Sequence, residues 1–185
     1  MNMIASRWQL RTSFIRWSLL LVPLIILLGV VSGQLSGSGS DSAWFSALKM
    51  PATYPPGWLF GVVWTVLYAL MGFALAIVAS AKGARGRGAA VLAFIVQLVL
   101  NLAWSPMFFG YHQISGALFL IAVLDVAVIV TIALFWRIRR SAALLMLPYL
   151  AWILFATLLN WQILDANRGL DGKQDYSGAI GRYEF

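Results

Sequence analysis

Gln97, Asn101, Asp125 and Asn160 stand inside long apolar runs of the sequence. Each is expensive to bury there. A carboxylate near the middle of a membrane span costs about 2.5–3.5 kcal/mol on insertion scales, so Asp125 must face a helix bundle or a wet cavity. Protonated, it would cap a helix–helix contact. Ionised, it would need a donor, which nearby Tyr and Asn side chains are expected to supply. Amides inside a span bond to neighbouring helices, each bond being worth roughly 0.6 kcal/mol.

Aromatic side chains recur beside these polar groups. At about 100° per residue, Gly57, Phe60, Gly61, Trp64 and Tyr68 share one helix face. Gln97, Asn101, Trp104 and Phe108 share another, with Ser105 at its edge. Tyr149, Trp152, Ala156 and Asn160 share a third. Taken singly, these residues have plain structural roles. Tryptophans near helix ends form interfacial belts, which suffices for Trp17, Trp44, Trp136 and Trp161. "GWLFG" at 57–61 reads either as close packing of a partner helix or as room for a flat ring, and Gly72 and Ala76 read as close helix packing. Taken together, three flat aromatic faces with a few amides suit a bulky, planar, mostly apolar ligand.

Catalytic chemistry has little to build on. The chain has no cysteine and one histidine, His112. There is no Ser–His–Asp set, no paired carboxylate within the spans, no phosphate loop and no metal-ligand spacing. Metal sites are therefore assigned none, and no cofactor is obligatory.

The elements that must position these residues follow from hydropathy. The chain has 185 residues, 62% hydrophobic and 10% charged, with a mean hydropathy of +0.86. A soluble domain carries about 25% charged residues. Five apolar runs (17–35, 58–81, 89–109, 115–136 and 142–164) are each long enough to span a bilayer. Lipid leaves helices as the way to satisfy the backbone of such runs. The expected fold is an all-α, integral membrane bundle of five transmembrane helices over 17–164. A basic N-terminus (1–16) precedes it and a polar tail (165–185) follows. Pro23 and Pro106 interrupt spans. The first run is too long for a signal-peptide core and lacks a small-residue cleavage site. The loop 36–57 opens on "SGSGSDS" and closes on "KMPATYPP", a flexible part joined to a stiff one, and reads as a lid over one mouth of the bundle. Trp44 and Tyr54 are the side chains this loop brings to the ligand.

The net charge of +7 is a topology signal rather than a nucleic-acid footprint, because the basic residues fill short gaps between spans. Arg7, Arg11, Arg16, Lys82, Arg85, Arg87, Arg137, Arg139 and Arg140 fall on one side. Lys49, Arg168, Lys173 and Arg182 fall on the other. In a bacterial inner membrane this bias puts the N-terminus in the cytoplasm; an outer-membrane location would not follow the rule.

Four segments resemble the TspO/MBR family, the tryptophan-rich sensory proteins whose mitochondrial relatives are the translocator proteins or peripheral benzodiazepine receptors. They are "WFSALKMPATYPPGWLFGVVWTVLYALMG" (44–72), "QLVLNLAWSPMFFG" (97–110), "LD" (124–125) and "PYLAWILFATLLNW" (148–161). The resemblance implies a five-helix bundle, commonly a homodimer. It implies a cavity for porphyrins such as protoporphyrin IX, for isoquinoline and benzodiazepine drugs and, in some members, for sterols. The family's site residues match Trp64, Asn101, Trp104, Ser105, Asp125, Trp152 and Ala156. Trp64 and Trp152 are similar to tryptophans linked in some members to light-dependent porphyrin breakdown. Two departures stand out. Met50 and Thr53 replace the Lys and Trp of the family's "KPSWxPP" loop. Gln162 and Asp165 replace the Tyr and Arg of the animal sterol motif. The implied function is a porphyrin-binding receptor or sensor in tetrapyrrole regulation or stress response. Porphyrin breakdown and tetrapyrrole transport are the alternatives that the same cavity would serve.

Overall fold

A computed structural model describes residues 7–37 and 42–173, with side chains from Arg11 onward. Among the described residues the chain is helices and turns, with no strand. The helices are α1 (Arg7–Leu35), α2 (Ala43–Ala47), α3 (Gly57–Ser80), α4 (Arg87–Ser105), α5 (Ile114–Ile138) and α6 (Arg140–Ala166). α1, α3, α4, α5 and α6 are long and apolar enough to cross a membrane, so the protein is a multi-pass integral membrane bundle. Residues 38–41 ("SGSD") of the first loop, and the tail beyond Lys173, lie outside the described residues.

α3, α6, α5 and α4 pack in that order around the core, and α1 lies on α3 and α4. Two close approaches seat α1. A methyl group on Gly29 would overlap the Tyr68 ring, and one on Gly72 would lie 2.7 Å from the Val22 Cα. Without a hydrophobic drive between helices in lipid, such small-residue contacts hold helices together by packing. Ser32 adds a hydrogen bond from its hydroxyl to the Leu102 carbonyl at 2.7 Å.

Several expectations need correction. α1 begins at Arg7, not near Trp17, because arginines are good helix formers and extend a span past the hydrocarbon while their heads stay in water. The lid loop contains a helix, α2. Ser42 caps it, its hydroxyl accepting from the Phe45 N–H at 3.4 Å. Pro148 also lies inside a span, in α6. After Ser105, α4 widens into a π-helical turn over Pro106–Gly110. Pro106 has no N–H for the α ladder, and its ring crowds the preceding turn. Gly57 and Gly61 do not pack a helix of this chain: nothing lies within 4 Å of where a Cβ would stand on either.

Candidate ligand-binding site

The three faces expected from spacing do converge, at the end of the bundle where α3 and α5 begin and α4 and α6 end. On α3, Trp64 stacks on Tyr68 with ring centroids 5.3 Å apart. Trp64 also meets the edge of Tyr149 of α6 at 6.3 Å. Phe60 meets Trp152 edge-on at 5.7 Å. Tyr54 reaches down from the loop to Phe60 at 5.3 Å. Ala156 is half-buried one turn beyond Trp152, and Ser105 is half-buried at the end of α4. The rings pair with one another rather than stand round an open chamber, which departs from the expected large cavity. Offset and edge-on pairs of this kind are worth about 0.5–1.5 kcal/mol each beyond their burial.

Polar atoms are threaded through these rings. The Tyr68 hydroxyl donates to Asn101 Oδ1 at 2.8 Å. The Tyr149 hydroxyl donates to Gln97 Oε1 at 3.1 Å, with both residues wholly buried. Trp104 Nε1 donates to Asn160 Oδ1 at 3.2 Å, and Asn160 Nδ2 donates to the Ile114 carbonyl at 3.0 Å. Asn160 is thus consumed in joining α4, α5 and α6. Among the described residues Trp152 Nε1, by contrast, is buried with no acceptor, and Gln97 Nε2 and Asp125 Oδ1 are likewise buried without partners. An unpaired buried donor costs its full desolvation, about 1–3 kcal/mol.

Asp125 faces the bundle as required, but its donor is neither a tyrosine nor an asparagine. The Thr157 hydroxyl of α6 lies 2.9 Å from both Asp125 Oδ2 and the Ile153 carbonyl, and its single proton is shared between these two acceptors. Sequence reasoning missed Thr157, because a threonine inside a helix usually satisfies itself on its own backbone. Asp125 therefore sits at the α5–α6 seam, and no hydrogen bond joins it to the other predicted site residues.

Trp44 is not a belt residue. It is 2% exposed, stacks on His112 at 4.5 Å, and meets Phe108 edge-on at 5.4 Å. Trp17, Trp136 and Trp161 are exposed, as belt positions should be. Phe108 in turn stacks on Trp104 at 5.0 Å. Phe45 and Phe109, which sequence reasoning did not single out, join this cap to Tyr54, with ring centroids at 6.3 Å for Phe45–Tyr54 and 5.5 Å for Phe45–Phe109. The ring contacts run unbroken from Trp152 through Phe60, Tyr54, Phe45 and Phe109 to Trp104 and Phe108. Burial pushes the Tyr54 phenol above the usual tyrosine range.

The loop is strapped down by the end of α6. The Lys49 N–H donates to Asn167 Oδ1 at 2.8 Å, and Asn167 Nδ2 donates to the Lys49 and Ile163 carbonyls at 3.0 and 2.8 Å. Thr53 donates to Gln162 Oε1 at 2.6 Å. Thr53 and Gln162, two positions that depart from the family pattern, thus contact one another. His112 adopts a positive φ of 57°, and its carbonyl accepts from the Gly172 N–H at 2.9 Å.

With this geometry in view, residues 20–165 match the family described as the TspO/MBR family. The chain belongs to the TspO/MBR family. It is 35% identical over 147 residues to the human translocator protein, covering 78% of this chain and 87% of that protein. It is 41% identical over 132 residues to the tryptophan-rich protein TspO of Archaeoglobus fulgidus, covering 71% and 85%. It is 33% identical over 153 residues to protein CrtK of Rhodobacter capsulatus, covering 82% and 96%. The matched span takes in the lid loop, the whole of α3, α4 and α5, most of α6 and the part of α1 from residue 20 on, and therefore every residue of the aromatic cluster.

Proposed function

We propose that this TspO/MBR protein is a membrane receptor that binds porphyrins of the protoporphyrin IX type, and similar planar apolar ligands, among the rings of α3, α4 and α6. Its role is in tetrapyrrole regulation or stress response, as a homodimer in the bacterial inner membrane with the basic face toward the cytoplasm. The observation that carries the reading is Trp152: a large indole between Phe60 and Phe155, with its N–H buried and unanswered. A flat ligand that parted Phe60 from Trp152 would exchange one set of ring contacts for another. An acceptor on its edge would take up the Trp152 N–H, so the ligand gains a hydrogen bond that the closed site lacks. Trp64 and Tyr68 form the opposite wall, with Asn101 behind them. Drug-like heterocycles meet the same requirement; a sterol, with no flat conjugated face, meets it less well.

The test is tryptophan fluorescence of the purified protein in detergent during titration with protoporphyrin IX. Quenching should saturate, and Trp64→Phe and Trp152→Phe should each weaken the affinity. Unchanged affinity in both variants would place the ligand elsewhere.

A further inference from the structure

The opposite end of the bundle carries a second feature, independent of the aromatic cluster. A groove of about 180 Å³ lies where α1 crosses the end of α3 beside the α5–α6 corner, lined by Phe14, Ile77, Ser80, Ala81 and Arg139. Its walls are apolar apart from one hydroxyl and one guanidinium. Arg139 is the extended residue between α5 and α6, and its Nη1 donates to the Ile138 carbonyl at 3.2 Å. Its other guanidinium donors point to no carboxylate: among the described residues the one ion pair, Arg168–Asp165, lies at the far end.

The face around this groove is uniformly basic. Nine of the 13 Lys and Arg residues belong to it by sequence, and none of the six acids does. Asp41 is in the lid loop, Asp125 is within a membrane span, Asp165 is in the last turn of α6, and Asp171, Asp175 and Glu184 come after it in the sequence. α4 and α6 both begin here, with Arg87 and Arg140. Neither has an acidic residue in its first turn or a side-chain cap. This inverts the arrangement that a helix macrodipole favours, since the positive end of each helix is met by more positive charge. The free N–H groups of a helix start add to the demand for an anion. Nearby cations are held elsewhere: Arg140 lies over the Trp136 ring at 5.6 Å, and Arg87 donates to the Ala79 carbonyl at 2.9 Å.

We infer that this groove is a binding site for an anionic phospholipid, its phosphate on Arg139 and the start of one acyl chain against Phe14, Ile77 and Ala81. A guanidinium pairs with phosphate oxygens in a two-pronged geometry that an ammonium cannot make. Basic pockets between transmembrane helices suit such head groups. A zwitterionic lipid brings its own cation to a face that already holds nine, so the site selects the net-negative head group. The apolar walls separate a lipid from free phosphate, which has nothing to place there.

Native mass spectrometry of the full chain in detergent tests this. The protein is titrated with phosphatidylglycerol and with phosphatidylcholine of the same acyl chains. Phosphatidylglycerol should be retained several-fold more tightly. Arg139→Gln should reduce it to the phosphatidylcholine level, and Ala81→Trp should weaken both lipids by filling the groove. Arg85→Gln removes the same charge from the neighbouring loop and should leave the preference intact. The inference is overturned by equal retention of the two lipids, or by equal losses from Arg85→Gln and Arg139→Gln, which would indicate a diffuse field. Displacement of the lipid by millimolar inorganic phosphate would also overturn it. Circular dichroism and elution profile establish that each variant is folded.

Discussion

The two ends of this bundle are built from different materials. At the basic end, Met71, Ala74, Val78, Ala90, Phe94, Phe135, Ala142, Ala143 and Met146 have no exposed surface. Phe94 and Phe135 lie flat on each other 6.0 Å apart, and the alanines let the backbones draw close. At the aromatic end, Trp64, Tyr68, Trp104 and Trp152 turn inward yet remain half-buried, and buried polar atoms are left unpaired. One end is closed by interlocking small and aliphatic groups, which open only at the cost of many contacts at once. The other is closed by ring pairs and by a loop strapped from outside, which can open piecemeal. The proposed binding of a bulky planar ligand would draw on this division between a rigid base and a yielding mouth.

The largest predicted effect tests the rigid base. Phe135→Ala removes a fully buried ring from the Phe94 stack and should cost about 3 kcal/mol or more, read as a lower melting temperature in detergent. The matched change at the yielding end, Trp152→Ala, should cost clearly less stability because that ring is only half-buried. If both variants melt alike, the two ends are not mechanically distinct.

The next effect lies in the strap. Asn167→Ala deletes three hydrogen bonds at a residue that is 4% exposed, a loss of roughly 1–3 kcal/mol. The cost should be local. Amide exchange at Phe45–Tyr54 should accelerate while that of α4 and α5 near Phe94 and Phe135 stays slow. Uniform acceleration would show that the loop is part of the same cooperative unit as the base. Smaller again is Trp152→Phe, which keeps a ring but removes the unanswered N–H. Porphyrin affinity should fall about 3- to 10-fold, the worth of one hydrogen bond of about 1 kcal/mol, with the melting temperature held or slightly raised.

The sequence makes the helices and their inward faces easy to read and the contacts that close the mouth hard. Five spans, their order and the inward turn of Trp64, Asn101 and Trp152 follow from hydropathy and helical period, because lipid allows the backbone no other solution. The aromatic end depends on partners distant in sequence. Thr157 and Asp125 are 32 residues apart, Lys49 and Asn167 are 118 apart, and Trp44 and Leu170 are 126 apart. No periodicity encodes such pairs. Trp44 reads as a belt residue until His112 is seen beneath it. The π turn after Ser105 was signalled by Pro106, but its consequence, Phe108 lying over Trp104, was not. The glycine pairs show the limit of motif reading: among the described residues 57 and 61 have packing spacing and no neighbour, whereas Gly29, at the same spacing from Gly33, is pressed against Tyr68.

The smallest effect concerns Tyr54, where loop and mouth touch. Its ring lies 5.3 Å from Phe60 and 6.3 Å from Phe45, and burial raises its pKa above the ordinary 10.0. The sign follows from which form the fold prefers. Below the unfolded value the phenol is neutral in both states and the closed loop keeps its full stability. As the pH rises past that value, the open loop gains by ionising and the closed loop does not, so closure weakens and is lost through the raised folded value. Amide exchange at Phe45–Tyr54, corrected for its intrinsic pH dependence, should therefore speed up above about pH 10 and not below it. Tyr54→Phe should abolish that step while leaving the ring contacts in place. If the step survives in Tyr54→Phe, Tyr54 is not the hinge between the strapped loop and the ring pairs beneath it, and the mouth must open at Phe60 and Trp152 without it.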